Sequence, residues 1–309
     1  MERERGRQRS ITGELESGQI IAAFGRQYLV RLDDGSEIAC LTRGKKSEAA
    51  CGDLVDIRRT ADASAGDGNG AQGVIERIAP RRSLLHRSDA YREKLIAANV
   101  TQIIVVAAAE PSFSDELLAR CMVAAFDQKL EVLIVLNKCD LPAAAAAARR
   151  RLAPYAAIGY RVLEISAKLD VSALPPFLHG HTSVLVGQSG MGKSTLINAL
   201  LPGAQAVTRE ISTVLDSGKH TTTHARLYRV DADSKLIDCP GVQAFGLHHL
   251  GFGAIEQGFV EFSDYLGKCR FHDCHHTHEP GCALRKAVEE GKIDARRLEL
   301  FQQIARHKS

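Results

Sequence analysis

Hydrophobic positions along the chain fall into three successive rhythms. Up to about Pro80 they form short runs: GQIIAAFG, RQYLVRL, EIACLTR, DLVDIRR and GVIERIA. Aspartate and glycine turns such as DDGS at residues 33–36 separate the early ones. Five runs this short leave no room for helical crossovers, so they predict a small β-barrel of OB or SH3 type. Residues 61–73, ADASAGDGNGAQG, are too polar and glycine-rich to pack and read as a loop before the last strand.

The second rhythm alternates strand-length and helix-length patterns from about Asn99 to Leu247. VTQIIVVAAA and LEVLIVLN are continuous apolar runs, as expected for strands buried on both faces of a parallel sheet. YRVLEISAK and TSVLVGQSG read as two more strands. Between them, DELLARCMVAAFDQKL puts Leu117, Leu118, Cys121, Met122, Ala125 and Phe126 on one helical face. DLPAAAAAARRRLAPY starts a helix with Asp140 near the cap and Pro142 in the first turn. Such alternation predicts a doubly wound α/β sheet. From about Gly253 the third rhythm is helical. Its last stretch, DARRLELFQQIARHK, predicts an amphipathic helix with Leu298, Phe301 and Ile304 inward and its Arg and Lys outward.

Composition narrows the class only a little. The 309 residues are enough for two or three domains, with 45% apolar and 25% charged positions, as in ordinary globular chains. The longest apolar run, IIVVAAA, is far short of a membrane span, and MERERGRQRS has no apolar core to follow it, so no membrane association and a cytoplasmic location are expected. A net charge of +3 supports no global polybasic surface, although the first ten residues hold four Arg against two Glu and could form a basic arm on nucleic-acid phosphate or a solvated tail. Of eight cysteines, five are scattered (Cys40, Cys51, Cys121, Cys139, Cys239) and read as small buried residues, while Cys269, Cys274 and Cys282 cluster. In a reducing compartment a cluster points to metal.

Three motifs carry chemistry. Gly187-Gln188-Ser189-Gly190-Met191-Gly192-Lys193-Ser194, followed by Thr195, fits the phosphate cradle G-x-x-x-x-G-K-S. It follows an apolar strand and opens a helix, the context that the motif requires. Backbone N–H groups would face the phosphates, Lys193 would reach the β and γ phosphates, and Ser194 would ligate Mg²⁺. The second motif is Asn137-Lys138-Cys139-Asp140 at the end of a buried strand, with Ser166-Ala167-Lys168 downstream. The Asp140 carboxylate can accept two N–H bonds from the guanine edge, Asn137 and the Lys138 stem support the ring, and the Ala167 amide would face the guanine carbonyl. Adenine presents the opposite polarity, so GTP or GDP is expected rather than ATP. The third is DCPG: Asp238 would hold Mg²⁺ through water and the Gly241 N–H would sense the γ-phosphate. Among Thr221, Thr222 and Thr223, Thr222 is the expected Mg²⁺ ligand.

These motifs run in the order base reader, cradle, DCPG, the reverse of the start seen in Ras-like proteins. A sheet can be threaded either way when its termini lie close together. With a small barrel ahead, GQSGMGKST, GKHTTT and DCPGVQAFGL within, and a Cys/His cluster behind, the chain resembles the RsgA (YjeQ/EngC) family of small-ribosomal-subunit-dependent GTPases over nearly its whole length. Behind the basic tail read from the charge pattern (1–14), the resemblance implies an OB-type β-barrel (15–80), a circularly permuted P-loop GTPase domain (81–250) and a helical zinc-binding domain (251–309). It implies binding to the small ribosomal subunit and its rRNA late in maturation, with GTP hydrolysis stimulated by the subunit. A monomer is expected.

Two assignments lean on that resemblance. The residue after Gly241 is Val242, which cannot orient water as glutamine does in Ras-like enzymes, and Gln243 comes one place late. His220 is the favoured catalytic candidate instead. The cluster Cys269-x4-Cys274-x-His276-x5-Cys282 supplies three thiolates and one imidazole, a closed set for one structural zinc. His272, His275 and His278 are neighbours, and the resemblance favours His276. A different class of function, an RNA-binding scaffold that senses GTP without hydrolysing it, also accommodates the motifs.

Overall fold

The structure, a computed structural model, describes residues 14–43, 49–60, 72–89, 92–204, 225–239 and 246–306. The loop expected at 61–73 therefore lies almost wholly outside the described residues, as does the basic arm.

The barrel consists of β1 (Glu16–Phe24), β2 (Gln27–Leu32), β3 (Glu37–Thr42), β4 (Leu54–Arg59) and β5 (Gly73–Ile78). Its order is β1-β2-β3-β5-β4, closed by β1 pairing with β4, and β3 runs parallel to β5. Closure removes both sheet edges, and this connectivity is that of an OB barrel. Ile20, Val30, Ile38, Val55, Ile57 and Ile75 fill its interior. The adjacent Ile21 belongs to the larger core of the rest of the molecule, with Ala22 and Leu29. Successive strand residues point to opposite faces, so a continuous apolar run in β1 serves two cores.

Next comes a ribbon, β6 (Leu84–Asp89) and β7 (Arg92–Ala98), that the hydrophobic pattern does not mark. The main sheet has the order β10 (Arg161–Glu164), β9 (Glu131–Asn137), β8 (Gln102–Ala108), β11 (Thr182–Val186), β13 (Lys235–Asp238), β12 (Ala225–Arg229). All neighbours are parallel except β12 with β13. Helices α1 (Asp115–Asp127), α2 (Pro142–Ala157), α3 (Pro175–Leu178) and α4 (Lys193–Leu200) connect its strands. Chain order runs outward from β8 to β10 and then resumes on β8's other side at β11. That reversal makes a crevice at the carboxyl ends of β8 and β11, where such sheets bind ligands.

Barrel and sheet are one continuous surface. β1 pairs antiparallel with β12, Ala22 opposite Arg226 and Ala23 opposite Ala225. Beside this seam the Lys235 ammonium donates to Gln19 Oε1 at 2.7 Å, and the Gln19 and Asn99 amides both donate to the Gly52 carbonyl at 3.1 Å.

The C-terminal segment holds α5 (Phe252–Gln257), a 3-10 turn (Val260–Phe262), α6 (Ala283–Glu289) and α7 (Ala295–Ala305). Phe301 meets Phe252, Phe259 and Phe262 edge-on at 5.4–5.5 Å, a favoured aromatic geometry. This cluster merges with the core of the sheet domain.

Two local expectations need correction. Arg297 is not solvent-facing: its side chain is 2% exposed and paired with Glu261, with Nε to Oε1 at 2.5 Å and Nη2 to Oε2 at 3.2 Å. Its guanidinium also lies over the rings of Phe259 and Tyr155. A helix period places Arg297 beside Leu298 and Phe301, and only a partner carboxylate makes that burial tolerable. Phe126 is exposed although Met122, one turn earlier on the same face, and Ala125 beside it are buried. As expected, Asp140 stands beside the cap of α2, one residue before Leu141, and Pro142 opens the first turn, with no side-chain cap bond.

Removing Arg297 leaves a buried Glu261 carboxylate without its partner. Arg297→Ala is expected to cost about 3–5 kcal/mol, and Arg297→Met with Glu261→Leu to recover most of it. Urea unfolding midpoints of the two variants check this.

Candidate functional site

The crevice at the carboxyl ends of β8, β9, β11 and β13 collects the residues of the sequence motifs. Asn137 ends β9 and is 1% exposed. Its Nδ2 donates to the Met191 carbonyl at 2.9 Å, and its Oδ1 accepts from the Ala167 amide at 2.9 Å and the Lys138 amide at 2.8 Å. One buried amide therefore ties the base-reader loop, the Ser166–Ala167 turn and the cradle together. Lys138, in the left-handed region at φ +63°, adds a bond from Nζ to the Gly190 carbonyl at 2.8 Å.

Asp140 is exposed at the rim, and its Oδ1 accepts from the Ser166 hydroxyl at 2.6 Å. That bond holds its carboxyl below the ordinary aspartate range, so it stays a pure acceptor at neutral pH. Cys139 is half-buried between them, and burial pushes its thiol up. The sequence predicts the Ala167 amide aimed at a base carbonyl and the Asn137 side chain on the ring. Here the two are bonded to each other, so a base carbonyl would have to share or exchange the Ala167 donor.

The cradle spans the turn from β11 to α4. Gly192 sits at φ +90°, and a Cβ there would lie 2.3 Å from Asn137 Nδ2. A Cβ on Gly187 would lie 2.4 Å from the Val106 carbonyl. Both positions must be glycine because the loop is pressed against β8 and β9, not only because it turns. Gln188 is expected as a nucleotide-binding residue of the cradle, and its Oε1 also accepts from the Ser114 amide at 2.8 Å, pinning the crest to the start of α1. No spacing rule reveals that contact. Ser189, Gly190, Ser194 and Thr195 are exposed along the mouth, and Met191 is buried beneath it.

Lys193 Nζ folds over the loop onto the Gly187 and Gln188 carbonyls, at 2.5 and 2.8 Å. Burial pulls its ammonium down, opposed by the Asp238 charge, and burial pushes the Asp238 carboxyl up, opposed by Lys193. A phosphate and a divalent cation arriving together would satisfy both groups. Asp238 pairs in register with Leu185 of β11 and with Arg226 of β12. His220, Thr222 and Gly241 lie outside the described residues.

The second candidate site lies in the C-terminal segment. Ligand atoms of Cys269, Cys274, His276 and Cys282 all lie within 4.8 Å of one another. His276 Nδ1 is 3.5, 3.6 and 3.2 Å from the three sulfurs. A tetrahedral ion with metal–sulfur near 2.3 Å and metal–nitrogen near 2.0–2.1 Å sets such pairs about 3.5 Å apart, so the set fits zinc and leaves no open position. His275 faces Phe252 and His278 bonds Thr277. Sequence reasoning missed Glu256, whose Oε1 is 2.6 Å from His276 Nε2; twenty residues separate the two.

Among the described residues no helix is long and apolar enough to cross a membrane. A family model described as RsgA GTPase matches residues 78–248. The chain is similar to a protein of Nitrosospira multiformis named Small ribosomal subunit biogenesis GTPase RsgA, 54% identical over 96% of this chain and 92% of the relative. A Burkholderia pseudomallei protein of the same name is 50% identical over 96% and 94%. Among solved structures, YjeQ from Thermotoga maritima superposes with a TM-score of 0.69 at 27% identity, covering 95% of this chain and 98% of that one. YloQ, described as a circularly permuted GTPase, gives 0.65 at 25% identity, covering 96% and 97%. The chain belongs to the RsgA GTPase family.

Proposed function

We propose that this GTP hydrolase binds the maturing small ribosomal subunit through its rRNA and turns over GTP when the subunit stimulates it. The buried Asn137 tie carries the nucleotide part of the reading, because it brings base reader and phosphate cradle into one crevice. The names of the similar proteins support the ribosomal part. The protein acts as a cytoplasmic monomer.

Asp140, oriented by Ser166, reads the guanine edge. The exposed amides of the cradle, with Ser194, Thr195 and the Lys193 ammonium, hold the phosphates; Lys193 exchanges its loop carbonyls for phosphate oxygens. Ser194, Thr222 and Asp238 would hold Mg²⁺. When bound, Mg²⁺ neutralises phosphate charge as the bond to the leaving oxygen loosens. The Gly241 amide senses the γ-phosphate, and His220 orients the attacking water or takes its proton. The Cys/His cluster holds a structural zinc that knits the loop between the 3-10 turn and α6.

Asp140→Asn removes two charge-assisted hydrogen bonds. GTP affinity should fall on the order of 10²-fold or more, while xanthosine nucleotides gain, because a carbonyl replaces the guanine amino group and the new amide donates to it. Titration with fluorescent GDP and XDP measures both, and equal affinities in variant and native protein would overturn the base assignment. His220→Ala should keep GTP affinity and lower subunit-stimulated turnover by about 10²-fold or more. Unchanged stimulated turnover would remove His220 from the mechanism.

A further inference from the structure

We propose that Glu256 is the positioning residue of the metal centre. Its carboxylate fixes the tautomer and aim of His276, and so links zinc affinity to the docking of α5. The proposal rests on the zinc reading of the cluster.

His276 is 3% exposed, and its ring has two distinct sides. Nδ1 faces all three sulfurs at 3.2–3.6 Å, and Nε2 faces away from them. A neutral imidazole that binds metal through Nδ1 carries its proton on Nε2. A buried N–H needs an acceptor, and Glu256 Oε1 stands 2.6 Å away. The Glu256 side chain is itself 18% exposed, shielded by the same packing. The ring is further held by Phe252, nearly parallel at 17°, and the His276 backbone sits at φ +59° with its carbonyl accepting from Gln302 of α7. Left-handed backbone at a non-glycine position persists only where surroundings enforce it. Three separate elements thus aim one imidazole: α5 through Glu256 and Phe252, α7 through Gln302, and the cluster loop itself.

Glu256 and Phe252 both belong to α5, the first helix after the DCPG strand. The carboxylate is therefore the polar link between the segment leaving the nucleotide crevice and the metal loop. Zinc binding and the seating of α5 against the metal loop reinforce each other through this bond, beside the aromatic packing that joins the segment to the sheet core.

The test measures zinc affinity of the full-length protein by competition with a colorimetric chelator, using zinc chloride as the probe. Glu256→Ala should weaken zinc binding about 10–100-fold. Glu256→Gln should recover most of that loss, since its amide oxygen accepts the same N–H bond. GDP affinity should stay unchanged in both. His275→Ala, one residue from the ligand, should bind zinc as the native protein does. Should Glu256→Ala not fold, Glu256→Asp, whose carboxylate is one methylene short of Nε2, carries the same expectation of weakened binding. Native-like zinc affinity in Glu256→Ala or Glu256→Asp would overturn the positioning role, as would a Glu256→Gln no better than Glu256→Ala. A native protein that binds no zinc would instead overturn the metal reading itself.

Discussion

One buried side-chain amide organises the nucleotide crevice. Asn137 reaches Met191 in the cradle with its donor and Ala167 with its acceptor, and glycine at 192 is what lets it approach. These three loops follow strands β9, β10 and β11, so no local sequence rule keeps them in register. The strong, directional bonds of a dry amide do. Here the base reader runs on through β10 and β11 into the cradle, and the break of the permuted order falls between DCPG and the base reader; the relation of base reader to cradle is also made through space, so it does not depend on which of the two comes first. The permuted order of this family follows naturally from a site held this way.

The permutation also decides what the crevice is wired to. β12, whose first residue is the first described one after the threonine segment, pairs with β1 of the barrel on one side and β13 on the other. Arg226 is opposite Ala22 in the barrel and opposite Asp238 in the sheet. Barrel, switch strand and the DCPG aspartate are consecutive rungs of one ladder. At the other end the DCPG strand leads into α5, and α5 holds the metal loop through Glu256. The barrel is thus bonded to β12, the neighbour of the DCPG strand, and the metal unit follows that strand along the chain.

Much of this was legible in the sequence. Five short runs gave a closed barrel because alternation and turn chemistry are local. The cradle and the Cys/His set were legible because their spacing is itself the chemistry. What escaped depends on contacts distant along the chain. Arg297 reads as a surface residue until Glu261 is placed against it, thirty-six residues away. Phe126 has a core-facing helical phase and lacks only cover. The ribbon of β6 and β7 has no continuous apolar face to announce it. Glu256 is an ordinary polar residue in sequence and acquires its role only from the His276 ring, as Gln188 acquires its second one from the Ser114 amide. His220, Thr222 and Gly241 lie outside the described residues; Thr222 and Gly241 rest on their motifs and His220 on the resemblance.

The account ties hydrolysis to a partner, and one measurement addresses that tie directly: GTP turnover by the purified protein alone, with stoichiometric small ribosomal subunits, and with large subunits as control. The account predicts slow turnover alone, a large rise with small subunits and none with large ones. Slow turnover that neither subunit changes would contradict it and leave a protein that senses GTP without spending it on the ribosome.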